Sequence, residues 1–368
     1  MPLPSQQHAA EELVNCAVAA LRAGQLAGLP TETVYGVAAS MRSASGIESL
    51  KRVLHIQGHP GWVIHVSAAQ ELAQFLVSIP PVARRLMRHL WPGPLAVQLP
   101  IDAMSMERLW RIAGRPATAE ALVDGYATFR CPATEITRGI IAGTGEPVII
   151  VGAIGNHRVA IAEDLPEALR DHLAVIIPGP PPRYKKPSTL VRINHDQITV
   201  LREGAVAERI IRRWEDMVIV FVCSGNTCRS PMAAGLAAKI LAEKLRIPTA
   251  ELGHHHINIR SAGLCASGGM PAAEAAVKVV SAMGVDIRRH QSAPLTDDLL
   301  HRADMIYTMT QAQRDEILSR IGSSSEKIVT LDPDEDIPDP IGGGEPVYRR
   351  TAQRMEKLIR NRFAELEL

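Results

Sequence analysis

The sequence predicts an α/β protein in two parts: a mixed α/β domain over residues 1–207 and a doubly wound parallel sheet over 217–368, joined by a linker at 208–216. Three observations carry this. The chain has 368 residues, enough for two cores but long for one. Short apolar runs alternate with segments of helical spacing along its whole length. The rhythm then changes at MVIVFVC (217–223), an almost continuous apolar run of the kind a strand buried on both faces requires.

The N-terminal stretch through residue 24 reads as an amphipathic helix. AGLPTETVYGVAA, GWVIHVSA, PLAVQLP, EPVIIVGAI, HLAVIIPG, STLVRI and ITVLREGAV follow as strand candidates, separated by helical patterns such as PPVARRLMRHLW. PGPPPRYKK (178–186) is a surface loop, because its prolines lack the N–H that a helix interior or inner strand needs. The domain boundary falls within AERIIRRWED (207–216). Beyond it, strands MVIVFVC, INIRSAG, MIYTM and KIVTL alternate with four helical patterns, which implies a parallel sheet with ligands at the carboxyl ends of its strands.

Composition excludes several classes of function. Forty basic against 39 acidic residues leave a formal charge of +1, which argues against strong attraction to a nucleic-acid backbone or an anionic membrane. Five cysteines, an odd number in a long chain, fit a reducing cytoplasm better than a disulfide framework. No apolar run approaches the ~20 residues of a membrane span, and no signal-peptide pattern opens the sequence. The run HHH (254–256) invites a metal reading, but neighbouring side chains on an extended segment diverge, so a solvated loop without metal is expected.

The chemistry concentrates in FVCSGNTCRSP (221–231). A strand end, a tight loop and a helix start focus free N–H groups and the positive end of a helix dipole on one point, which suits a phosphate dianion. Ser224, Gly225 and Asn226 are small enough for the loop to curl around the oxygens, and Arg229 adds a charge-assisted fork. The same field would favour the nucleophilic thiolate at Cys223.

From residue 217 onward the chain resembles the low-molecular-weight protein tyrosine phosphatases: it carries this loop, then SAG (261–263), then DPIGG (339–343) in the right order. The resemblance implies catalysis by Cys223, Arg229 and Asp339, the last as general acid, without a cofactor. It implies phosphate binding by Ser224, Gly225, Asn226, Thr227, Cys228 and Ser230, and a reversible disulfide between Cys223 and Cys228. Thr227 and the glycine-rich DPIGG turn are closer to the bacterial arginine phosphatases of this family, so phosphotyrosine and phosphoarginine proteins both stand as substrates.

LPTETVYGVAA (29–39), WPGPLAVQL (91–99), STLV (188–191) and LREGA (201–205) resemble the YrdC-type threonylcarbamoyl-AMP synthase domains of tRNA modification. That resemblance implies ATP, threonine and bicarbonate as ligands, contact with a nucleotide or RNA, and Thr31, Thr33, Tyr35, Arg130 and Ser188 as binding residues. Where the family has Lys-x-Arg, this chain has Gln57 and His59; where it has a polar Pro-Ser-Ala-Asn stretch, Gly152, Ala153 and Ile154 stand here. Losing fixed cations at a polyphosphate site implies reduced or lost synthase activity. The competing reading is an active synthase with the phosphatase as an attached domain.

Overall fold

The computed structural model describes residues 6–57, 61–152, 161–195, 197–321, 326–364 and 366. It divides into two compact units, Met1–Glu215 and Asp216–Leu368. The stretch expected as linker holds a short helix, Glu208–Arg213.

Unit 1 is built on one mixed sheet. Its described strands are β1 (Leu26–Leu29), β2 (Gly36–Ser40), β3 (Val63–His65), β4 (Leu95–Pro100), β5 (Leu122–Val123), β6 (Tyr126–Arg130), β7 (Val148–Gly152), β8 (Leu173–Ile176), β9 (Thr189–Asn194) and β10 (Gln197–Arg202). The order is β10-β9-β4-β6-β3-β7-β2-β1-β8, with β5 paired to β6. Alternation decides which face each residue covers. Ala27, Leu29, Ala38, Val148 and Ile150 pack against Ala17 and Leu21 of the Gln6–Arg22 helix and Ile140 and Ile141 of the Glu135–Thr144 helix. Val37, Ala39, Ile64, Val97, Phe129 and Ile149 join the larger cluster of the opposite face.

Two readings of this unit change. AGLPTETVYGVAA is not one strand but an antiparallel pair, with Ala27 opposite Ala38. Thr31 Oγ1 accepts the N–H groups of Thr33 and Val34 at 3.2 Å each, closing a side-chain turn that competes with extended backbone. β6, absent from the expected strands, lies between β3 and β4 in the interior of the sheet and carries Arg130 at its end. The loop at 178–186 forms no helix or strand, as its prolines dictate, and docks through the Tyr184 N–H on the Glu32 carbonyl at 3.1 Å.

Unit 2 has the parallel sheet expected of it, β11 (Met217–Cys223), β12 (Ile257–Gly263), β13 (Met305–Thr308) and β14 (Ile328–Thr330), in the order β12-β11-β13-β14. The apolar run of β11 has a simple cause: every residue is buried, on alternating sides. Ile219, Phe221 and Cys223 meet Met232, Leu236 and Ile240 of the Arg229–Leu245 helix and Met355 and Ile359 of the Glu345–Ala364 helix. Val218, Val220 and Val222 meet Leu300, Ile306 and Ile317. Each such side chain contributes about 1.5–3 kcal/mol of burial free energy, which fixes the strand and hence the position of its carboxyl end. That end lies at the switch point where the chain passes to β12 on one side and to β13 on the other, the usual ligand crevice of such sheets.

The histidines at 254–256 are not on an extended loop. They end the 3₁₀ helix Thr249–His255, and His256 caps it in the left-handed region at φ 57°, with Nδ1 3.1 Å from Asp216 Oδ1. Among the described residues no cluster of His, Cys, Asp and Glu is arranged to hold a metal ion, and no helix is long and apolar enough to cross a membrane.

Candidate active site

Cys223 is the last residue of β11, and Cys228 caps the helix that begins at Arg229, so the loop between them turns within four residues. Asn226 makes this turn at φ 55°, a region open to Gly and Asn but costly to most residues. Its side chain is fully buried and satisfied. Nδ2 donates to Ser230 Oγ at 2.8 Å and Ser261 Oγ at 2.9 Å, while Oδ1 accepts the Ala293 N–H at 2.8 Å. His290 Nε2 donates to the Asn226 carbonyl at 2.7 Å, which fixes its tautomer.

This network directs Ser230. Its Oγ accepts from Asn226 and lies 2.9 Å from Cys223 Sγ and 3.4 Å from the Ala262 carbonyl, so its own proton has these two partners to choose between. Gly263, at the end of SAG, is needed for the same reason of space: a Cβ there would stand 2.6 Å from the Ser224 carbonyl oxygen and 3.0 Å from the Asn226 nitrogen. The loop is also tied outward, with the Cys265 N–H donating to the Ser224 carbonyl and the Ala273 N–H to that of Thr227.

Arg229 crosses from the first turn of its helix to the segment before DPIGG. Nη1 donates to the Ile337 carbonyl at 2.9 Å and Nη2 to Asp339 Oδ2 at 2.5 Å, whereas its buried Nε–H has no partner. The guanidinium is almost fully buried, but the Asp339 side chain is 41% exposed and faces solvent. Of the neighbouring carboxylates, Asp332 accepts from Arg354 and Asp336 accepts the Gln311 N–H. Thr227 is half-buried with Oγ1 3.7 Å from Cys228 Sγ, and that thiol lies 3.3 Å from Tyr348 Oη. Burial, then the contact with Cys228, pushes the Tyr348 hydroxyl up from its ordinary pKa. All five cysteines are free.

The structure thus brings together every residue singled out in this unit. It also adds Ser261, His290, Gln313 and Tyr348, which reach the loop from 35 to 120 residues away. Only Ser261 had a local signal, the SAG motif.

In unit 1 the singled-out residues are close-packed. Arg130 Nη2 donates to Glu32 Oε1 at 2.6 Å and to Thr33 Oγ1 at 2.9 Å, and Glu32 Oε2 accepts the Ala133 N–H at 2.8 Å. Thr31 and Thr33 share a 2.9 Å hydroxyl contact, and Tyr35 donates its hydroxyl to the Ile177 carbonyl at 2.9 Å. Burial pushes the Tyr35 hydroxyl up from its ordinary pKa. Ser188 offers its carbonyl to Arg202, whose guanidinium is shifted down by burial and by the nearby Arg130 charge. His65, fully buried one strand from Arg130, is pushed down to about 3, first by desolvation and then by that same charge. Gln57 is exposed, Gly152 ends β7, and His59, Ala153 and Ile154 lie outside the described residues.

Comparison with known proteins agrees with this division. Residues 218–368 match the family model described as low molecular weight phosphotyrosine protein phosphatase, and residues 19–204 match the Sua5/YciO/YrdC model described as telomere recombination. A protein-arginine-phosphatase of Bacillus subtilis is 35% identical over 41% of this chain and 97% of its own length. A low molecular weight protein-tyrosine-phosphatase of Staphylococcus epidermidis is 35% identical over 39% of this chain and 94% of its own. A Mycobacterium tuberculosis protein provisionally named threonylcarbamoyl-AMP synthase is 30% identical over 53% of this chain and 85% of its own. The chain is therefore a cysteine-dependent protein phosphatase of the low-molecular-weight family over residues 218–368, carrying a Sua5/YciO/YrdC family domain over residues 19–204.

Proposed function

We propose that unit 2 hydrolyses phosphoarginine or phosphotyrosine on proteins through a phosphoryl group carried on Cys223. The observation behind this is the loop itself: Cys223 Sγ within 2.9 Å of Ser230, and beside it a buried Arg229 whose Nε–H is unused. Phosphoryl oxygens would take the Nε–H and displace Asp339 from Nη2, with Ser224, Gly225, Asn226, Thr227 and Cys228 wrapping the rest. Cys223 attacks phosphorus as its bond to the leaving oxygen or nitrogen breaks, and Asp339, freed from Arg229 and protonated from the solvent it faces, gives that atom a proton. Asp339 then takes a proton from the water that cleaves the S–P bond. Arg229 and the helix start hold the charge that builds on the equatorial oxygens throughout. No cofactor enters these steps.

Relatives named for arginine and for tyrosine dephosphorylation are equally similar to this chain, so substrate preference turns on individual residues. Thr227 is half-buried beside the loop, and only exposed Ile341 and the glycines follow the Asp-Pro pair. Both features favour a polar guanidinium over a phenyl ring sandwiched by aromatic side chains. Side-by-side hydrolysis of phosphoarginine and phosphotyrosine proteins tests this. We expect the phosphoarginine protein to be preferred and Thr227→Ile to move the ratio toward phosphotyrosine; an unmoved ratio removes Thr227 from the assignment.

For unit 1 we propose a retained fold with synthase chemistry reduced or lost, leaving a module for a nucleotide or RNA. Arg130 is neutralised by Glu32, and Gln57 lacks a fixed charge. Pyrophosphate release by the full chain on adding ATP, threonine and bicarbonate would overturn this reading. We propose a cytoplasmic location on the cysteine usage alone, five in number and spread through a long chain.

A further inference from the structure

Gln313 sits in the first turn of the Gln311–Ile321 helix, which has no part in the catalytic motifs, yet it is buried to all but 6% of its surface. Burying a carboxamide costs free energy unless both ends are satisfied. Here both are. Oε1 accepts the N–H groups of Met309 at 3.0 Å and Thr310 at 3.2 Å, and these two donors fix which end is oxygen. Nε2 is thereby turned to Ser224 Oγ at 3.1 Å, on the residue that follows the nucleophile.

The chain of contacts continues on the other side. The Met309 carbonyl accepts the Ile337 N–H at 2.8 Å, the Ile337 carbonyl accepts Arg229 Nη1, and Arg229 Nη2 holds Asp339. One side chain therefore joins the phosphate cradle to the segment that carries the acid. We infer that Gln313 is a positioning residue of the phosphatase, setting the distance between the Cys223 loop and Asp339. The inference rests on the proposed role of Asp339 as proton donor.

The test uses the full chain and two small esters, phenyl phosphate, whose leaving group needs a proton, and p-nitrophenyl phosphate, whose leaving group departs readily without one. Gln313→Met preserves bulk but removes both hydrogen-bonding ends. It should lower kcat/KM for p-nitrophenyl phosphate by about tenfold, since small displacements of a reacting group cost up to about a hundredfold, and for phenyl phosphate by several-fold more. Its inhibition constant for inorganic phosphate should also rise several-fold. Gln313→Glu keeps an acceptor for Met309 and Thr310, and so the helix start, while removing the donor to Ser224 and adding charge; it too should weaken phosphate inhibition. A change in thermal midpoint with unchanged ester ratio and phosphate inhibition in both variants would overturn the inference, because a merely structural residue moves stability alone. Asp339→Asn is the reference for its own role. If that variant leaves the ester ratio unchanged, the acid assignment fails, and phosphate inhibition still decides the place of Gln313.

Discussion

Each unit buries an arginine beside a carboxylate, and the two pairs differ in a way that separates structure from chemistry. In unit 1, Arg130 and Glu32 are 8% and 7% exposed, and Glu32 is further held by the Ala133 N–H. In unit 2, Arg229 is 5% exposed but its partner Asp339 is 41% exposed and bound at one oxygen by Arg229 and at the other by the Ile341 N–H of its own turn. A carboxylate enclosed with its cation stabilises the fold and has nowhere to go. One at the rim, held by Arg229 and open to solvent, can exchange its place for a phosphoryl group.

The largest effect that would sharpen this contrast is in turnover. Cys223→Ser should abolish phosphatase activity while the circular dichroism spectrum stays unchanged, and measurable turnover in that variant would break the contrast outright. The next is in stability. Glu32→Gln leaves the buried Arg130 charge uncompensated and should cost about 3–5 kcal/mol. All four tryptophans, Trp62, Trp91, Trp110 and Trp214, lie in unit 1, so urea unfolding followed by tryptophan fluorescence reads this unit separately. A loss near zero would mean that Arg130 is free to take a ligand after all.

The smallest effect is in pH dependence. His65 is neutral in the folded state down to about pH 3, but takes up a proton near 6.5 when unfolded. Below 6.5 the unfolded state binds more protons, so unit 1 should lose stability as pH falls below 6.5 and hold a plateau above it. The groups facing His65 are the Arg130 charge and the Val63 carbonyl. His65→Phe should flatten that slope, and an unaltered slope would assign it to other groups.

How much was legible follows the reach of each interaction along the chain. The loop from Cys223 to Ser230 is contiguous, so strand end, small residues, cation and helix start could all be read in a single stretch, and Asp339 was marked by its place in DPIGG. β11 was legible because burial on both faces leaves an unbroken apolar run. β6 was not: Tyr-Ala-Thr-Phe-Arg alternates weakly, its interior place depends on partners 26 and more residues away, and its last residue is a charge neutralised by Glu32. Gln313, His290 and Tyr348 meet the loop across 89, 64 and 120 residues, and nothing in their own neighbourhoods records the contact. The one-strand reading of AGLPTETVYGVAA failed because Thr31 closes a turn through its own hydroxyl.

The central claim is that the exchangeable pair in unit 2 serves a phosphoryl transfer to Cys223. Rapid acid quench of the full chain during turnover of p-nitrophenyl phosphate, followed by peptide mass spectrometry, tests it most directly. A phosphoryl adduct on Cys223, accumulating further when Asp339→Asn slows its hydrolysis, is the predicted result. Turnover with no adduct on Cys223, or with the phosphoryl group on another residue, would contradict it.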